Sequence, residues 1–132
     1  MSKNLSNSEL YSKVIQLLNE ARNSVIHTVN QTMVLTYFEI GRIIIEEEQN
    51  GKDKATYGKA VIKELAERLT KEFGKGFSTT NVKQMRSFYI CYQNHQTLSY
   101  EFNLGWSHYL KLMRIDNEDE RKSYEIEAVK NN

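Results

Sequence analysis

The sequence predicts an all-α fold: a long N-terminal helix, then a helix-turn-helix, with room for a small wing behind it. Three observations carry this expectation. Proline is absent and glycine occurs six times in 132 residues, so little interrupts a helix. Apolar residues recur at intervals of three and four from Tyr11 to Ile44, which is the period of one helix face. Cap residues and glycine stops then fall where the period restarts. A chain of this length reads as one domain, residues 1–132, large enough for a real core but not for two.

Ser6 or Ser8 can cap a first helix that starts near Glu9. Its stripe runs through Tyr11, Val14/Ile15, Leu18, Ala21, Val25, Val29, Met33, Tyr37, Ile40 and Ile44, to about Gln49, before the Asn50-Gly51 stop. Unbroken, such a helix is about 60 Å long at 1.5 Å per residue. That is long for so small a domain. Either it breaks at the polar stretch Asn30-Gln31-Thr32, or its excess length packs against a partner chain. A long helix and a homodimer formed through it are the expectation.

Thr56 can cap a second helix from Tyr57 to about Phe73, with Val61/Ile62, Leu65, Leu69 and Phe73 as its core stripe. Gly74-Lys75-Gly76 ends it, because glycine tolerates the left-handed geometry at a helix C-terminus. Phe77 can staple the next helix and Ser78 can cap it. That third helix buries Val82, Met85, Phe88 and Tyr89, so the helix-turn-helix spans about 57–92. From Asn94 to Gly105 the periodicity fails. Thr97 to Phe102 alternates weakly, as a short strand or an irregular wing would. Trp106 to Ile115 reads as a further helix. Asn117 caps a last one to about Val129, with Glu118, Asp119 and Glu120 at its positive end.

The net charge is +1, which by itself argues against a nucleic-acid binder. Its distribution says more. Residues 1–55 carry −1, residues 56–100 carry +4 and residues 101–132 carry −2, so the cations gather around the glycine turn and its two helices. A local basic patch is what backbone binding needs, whatever the total. The polar face of the third helix presents Thr79, Thr80, Lys83, Gln84 and Arg86, and no acid occurs from Lys75 to Tyr92. Hydroxyls, an amide and cations without carboxylates suit phosphates and base edges. Thr79, Thr80 and Lys83 fall early in the helix, where base edges are reached in helix-turn-helix docking. Gln84 can pair with adenine, and Arg86 with guanine or phosphate. Lys59, Lys63, Lys71 and Lys75 suit phosphate, and the free amides from Ser78 to Asn81 add a phosphate site. The competing reading is an ordinary solvated helix face.

Other chemistry is poorly served. Ser107 and His108 are adjacent, so on a helix their side chains diverge by about 100° and form no nucleophile–base pair. Trp106 then enters the core, and His108 bonds to another helix. His27, His95 and His108 lie far apart, without cysteines or paired carboxylates at metal spacing. Neither a metal nor a cofactor is expected. Glu39 is a lone carboxylate, best read as a structural partner of Arg42 or a tyrosine hydroxyl, while Glu46-Glu47-Glu48 reads as a solvated helix end. Gly41 permits close helix packing. Cys91, the single cysteine, sits in an aromatic segment as a small buried hydrophobe, and a reducing cytoplasm fits. The start lacks an apolar signal region, and no apolar run is long enough to span a membrane.

Four ordered blocks resemble the N-terminal domain of YhcG-type proteins. They are Tyr37-Phe38-Glu39-Ile40-Gly41-Arg42-Ile43; Tyr57-Gly58-Lys59 with Val61-Ile62 and Leu65; Gly76-Phe77-Ser78 with Asn81, Met85-Arg86, Phe88 and Tyr89; and Leu104-Gly105-Trp106-Ser107-His108-Tyr109 with Leu112, Arg121, Tyr124 and Ala128. Phe38 stands where the family often has Trp, and Gly105 where it often has Ser. The resemblance runs from about residue 9 to the end. It implies a winged helix-turn-helix-like DNA-binding region of the kind that usually precedes a PD-(D/E)XK nuclease domain. No Asp followed by an Asp/Glu-x-Lys constellation on strands occurs here, so cleavage chemistry is not expected of this chain. A fragment and a stand-alone version both remain open. The functional expectation is a non-catalytic DNA-binding module that targets a nuclease domain or partner. Its alternative is a helical assembly module that touches no nucleic acid.

Overall fold

The computed structural model describes residues 2–50, 54–93 and 102–131, with side chains from residues 7, 58 and 102 onward in the three stretches. Five helices follow in order: α1 (Ser2–Asn50), α2 (Lys54–Phe73), α3 (Thr79–Tyr92), α4 (Trp106–Leu112) and α5 (Glu118–Lys130). No strand occurs among the described residues. The fold is all-α. The expected strand or wing falls mostly on residues 94–101, outside the described residues, and Phe102 at its end is buried in the core.

α1 is one unbroken helix of 49 residues, about 74 Å at 1.5 Å per residue. It begins before Glu9 because no glycine or proline stops it there. The polar stretch near residue 30 does not break it. Thr32 and Thr36 donate their hydroxyls to the carbonyls of Thr28 and Thr32 at 2.8 and 2.7 Å, which satisfies them within the helix. Gln31 donates to Asn103 Oδ1 at 3.2 Å, tying the middle of α1 to the segment before α4.

The buried face of α1 differs from the expected stripe. Val34, Phe38, Gly41 and Ile44 are buried, whereas Met33, Tyr37 and Ile40 lie on the edge or outside. The apolar residues from Leu10 to Val29 are exposed altogether. The periodicity is real, but its N-terminal portion covers no core.

Two clusters build the head around the second half of α1. The first is aromatic: Val34 and Phe38 of α1, Phe88 and Tyr92 of α3, Phe102 and Leu104, and Tyr109 and Leu112 of α4. Phe88 sits at its centre, with ring centroids of Tyr92, Phe102, Trp106 and Tyr109 all 5.0–5.1 Å away. Tilted and edge-on contacts of this kind add to the gain from burial. Burial, with the Glu125 carboxylate second, pushes the Tyr92 and Tyr109 hydroxyls well above the usual phenol range. The second cluster joins Ile44, Ile62 and Ala66 to Val82, and holds α2 on α1 and α3.

Gly41 marks the closest approach. A Cβ there would collide with the carbonyl oxygen of Met85 and lie 2.9 Å from Tyr89 Cβ. Only glycine lets α3 lie this close on α1. α2 starts at Lys54, so Thr56 falls within its first turn and not ahead of it. Phe73, expected in the core, is 65% exposed and pairs with Phe77 across the turn, centroids 6.0 Å apart. Cys91 is half-buried against the aromatic cluster. Arg121 of α5 donates to the Ile115 carbonyl at 3.0 and 3.1 Å, closing the turn after α4. Trp106 is half-buried, while Ser107 and His108 face solvent and the expected interhelical role of His108 is not seen.

Candidate nucleic-acid interface

The turn between α2 and α3 is built by its own residues. Gly74 and Gly76 take φ of 83° and 104°, the left-handed region that glycine enters without strain. Thr70 donates its hydroxyl to the Phe77 carbonyl at 3.0 Å. Ser78 then accepts from the Asn81 amide at 3.1 Å and caps α3, satisfying one of the amides a helix start leaves open. The result fixes where α3 begins and which way it points.

Asn81 is occupied by the fold. Its side-chain amide donates to the Gly76 carbonyl at 2.5 Å, and its Oδ1 accepts from Trp106 Nε1 at 2.9 Å. The residue bolts the turn, α3 and α4 together. Arg86 is occupied too. Its Nε donates to both oxygens of Glu48, at 2.7 and 3.0 Å. The Glu48 side chain is 16% exposed and lies against Gly58, where a Cβ would stand 2.6 Å from Oε1. The acidic run at the end of α1 is thus not simply solvated. Glu48 is an internal partner for α3, and Glu46 pairs with Arg42 at 2.6 Å. Arg42 also holds Glu39 at 2.7 Å, the structural role expected of that carboxylate.

The remaining expected residues face outward. Thr79, Thr80 and Lys83 on α3, and Lys75 between the two glycines, are exposed. Ser78 is exposed while serving as cap, and Gln84 is half-buried. On α2, Lys59, Lys63 and Lys71 are all exposed. An open groove between the end of α1, the start of α2 and α3 is lined by Lys59, Lys83 and Arg86, with Glu48 and Ile62 below them. A smaller one between α2 and the turn before α3 brings Lys71 and Glu67 beside Ser78 and Thr79. The structure therefore gathers most of the cationic and hydroxyl groups around the N-terminal half of α3. It reserves Asn81 and Arg86 for internal contacts. No sequence signal could have found the Glu48–Arg86 pair, whose members are 38 residues apart.

Among the described residues, no group of three or more His, Cys, Asp or Glu side chains could hold a metal ion. No helix among them is long and apolar enough to cross a membrane.

Comparison with known proteins places these features in a family. No solved structure matches the chain. A relative from Escherichia coli (strain K12) bearing the name "Putative nuclease YhcG" is 34% identical over 152 aligned positions, covering 92% of this chain and 40% of that protein. The chain thus spans about two fifths of that relative's length. The family model described as the DUF1016 N-terminal domain matches residues 13–132, which include most of the exposed half of α1 as well as the head. On a match this extensive, the chain belongs to the DUF1016 N-terminal domain family.

Proposed function

We propose that this domain is a DNA-binding module that brings a nuclease domain or partner to its target, is not itself catalytic, and self-associates through α1. The observation that carries the DNA reading is the outward set Lys75, Thr79, Thr80 and Lys83, positioned by the Ser78 cap and the two positive-φ glycines. α2, the turn and α3 act in this reading as a helix-turn-helix, with α3 against the major groove. The first residues of α3 reach base edges, while Lys59, Lys63 and Lys71 hold phosphates on either side. Arg86 contributes field to the groove and stiffness to α3 while Glu48 holds it. Gln84, half-buried, stands at the rim of the contact. The relative's name, "Putative nuclease YhcG", supports the targeting role, since a domain that recognises DNA by backbone and groove complements one that cuts it.

The test is binding of the purified chain to labelled duplex DNA at about 50 and 200 mM salt. Several phosphate contacts should cost orders of magnitude in affinity over that range. Salt-sensitive binding that Lys75→Glu with Lys83→Glu weakens at least tenfold supports the module. Absence of binding at the lower salt removes it. A second reading, an assembly module without nucleic-acid contact, is favoured by one observation: the apolar residues of the first half of α1 are exposed. Association through them would respond little to salt.

A further inference from the structure

The exposed half of α1 carries a pattern of its own. Leu10, Val14, Leu18, Ala21, Val25 and Val29 follow one another at intervals of four, four, three, four and four. Read from either end, the sequence of intervals is the same. All six are exposed; the five larger ones range from 46 to 62%. Such a row matches a reversed copy of itself, centred between Asn19 and Glu20. Its repeat is 11 residues, from Leu10 to Ala21, Val14 to Val25 and Leu18 to Val29, the spacing that gives paired helices a right-handed supercoil.

Two observations say that the chain's own head does not cover this row. Counting about 100° per residue, it points roughly 170° away from the face formed by Val34, Phe38, Gly41 and Ile44. The head is packed on that opposite face. Charge does not oppose a second copy either. Glu9, Lys13, Glu20 and Arg22 are the only charged residues from 7 to 33, and they sum to zero. A helix pair of this overlap covers on the order of 1,200 Å² in total, within the range of specific complexes.

We infer that the first half of α1 docks antiparallel on the same segment of a second copy. Leu18 then lies opposite Ala21, Val14 opposite Val25 and Leu10 opposite Val29 of the other chain. Tyr11, Ile15, Ile26 and Met33 flank the seam. The inference deepens the self-association proposed above and does not depend on DNA binding. Its geometric consequence is large. Each head meets α1 at Gly41, so the two heads sit about 65 Å apart along the helix axis. A parallel pair would place them side by side.

The experiment is a dipolar distance measurement between nitroxides at Asn30→Cys, in a Cys91→Ser background, with sedimentation equilibrium on the same protein. Antiparallel docking separates the two labels by about 30 Å, whereas a parallel pair holds them below about 25 Å. Expected are a dimer mass, the longer distance and little change with salt. Leu18→Glu with Val25→Glu should turn the dimer into a monomer while leaving Trp106 fluorescence unchanged, because neither residue touches the head. A monomer at every concentration would overturn the inference and leave the row to another polypeptide. A dimer with the shorter distance, or one indifferent to the two glutamates, would overturn the antiparallel seam. DNA affinity is measured apart from all of these, so the two readings fail separately.

Discussion

The two halves of α1 have similar composition and opposite circumstances. From Val34 to Glu48 the helix is the spine of the head, with α2, α3 and α4 packed on it. From Leu10 to Val29 it carries as many large apolar residues and none is covered. Fully burying such a side chain from an exposed state contributes roughly 1.5–3 kcal/mol, so covering the first half would contribute a part of that at each of its residues. The contrast teaches that an apolar period identifies a face and not its occupant. In one helix, the same signal means a domain core and an uncovered apolar face.

The sharpest way to break the comparison is to place equivalent insults in the two halves. Gly41→Val forces a side chain into the Met85 carbonyl and Tyr89. Backbone shifts in a packed contact cost about 1–3 kcal/mol and more where the backbone cannot yield. Two helices meet there, so a value at or above about 3 kcal/mol is expected in urea unfolding followed by Trp106 fluorescence. Val25→Glu in the free half should leave that transition nearly unmoved when measured on monomer. If both variants unfold the head equally, the halves are not independent and the division proposed here is wrong.

DNA binding gives the next largest effect. Lys75→Glu with Lys83→Glu reverses two exposed cations without touching the core. Loss of the Lys75 phosphate contact should flatten the log–log salt slope by about 0.9, and with the base-edge cation Lys83 also reversed affinity should fall at least tenfold at moderate salt. Unchanged slope and affinity in a folded protein would show that neither the turn nor the start of α3 meets DNA. The antiparallel seam adds a spacing rule: two recognition elements about 65 Å apart fit half-sites two turns of B-DNA apart, and not one. Duplexes with half-sites separated by one, one and a half and two turns would discriminate.

What could be read in the sequence, and what could not, divides along the same line. The Ser78 cap, the Asn117 cap, the glycine turn and the close approach at Gly41 are local or single-residue signals, legible because a few neighbouring residues create them. Most of the stripe of α3 was legible for the same reason, although Tyr92 is buried and Tyr89 only half-buried. The phase of the buried face of α1 was not. Periodicity located Tyr37 and Ile40, while packing selected Phe38 and Gly41, one residue along. The Glu48–Arg86 pair was invisible because nothing local records that the end of α1 lies beside the middle of α3. On the candidate site, exposure kept Thr79, Thr80, Lys75 and Lys83 on the surface. Tertiary contacts drew Asn81 and Arg86 inward, a distinction no helical wheel makes.

That pair supplies a smaller prediction with a clear sign. Arg86→Ala would leave Glu48, with only 16% of its side chain exposed, without its cation against α2. Such a loss costs about 1–3 kcal/mol through the unmatched carboxylate more than through the lost bond. Glu48→Gln with Arg86→Ala should recover part of it, because the buried charge is gone. A double-mutant cycle in urea reads the coupling directly. If Arg86→Ala costs nothing in stability and lowers DNA affinity as far as Lys83→Glu does, Arg86 leaves Glu48 for phosphate on binding, and its contact with the end of α1 is only a resting position.

Smallest is the cap. Ser78→Ala removes the acceptor for the Asn81 amide and should cost about 1 kcal/mol. Its interest lies in what it separates. Asn81 is held three ways, by Ser78, by the Gly76 carbonyl and by Trp106, so the start of α3 should keep its place when one is lost. Ser78→Gly, which costs a helix cap only a few tenths of a kcal/mol, offers the control. Reduced stability with unchanged DNA affinity in Ser78→Ala would mean that the hydroxyl only builds the helix. Affinity falling equally in both variants, beyond any change in stability, would place the Ser78 hydroxyl itself on a phosphate.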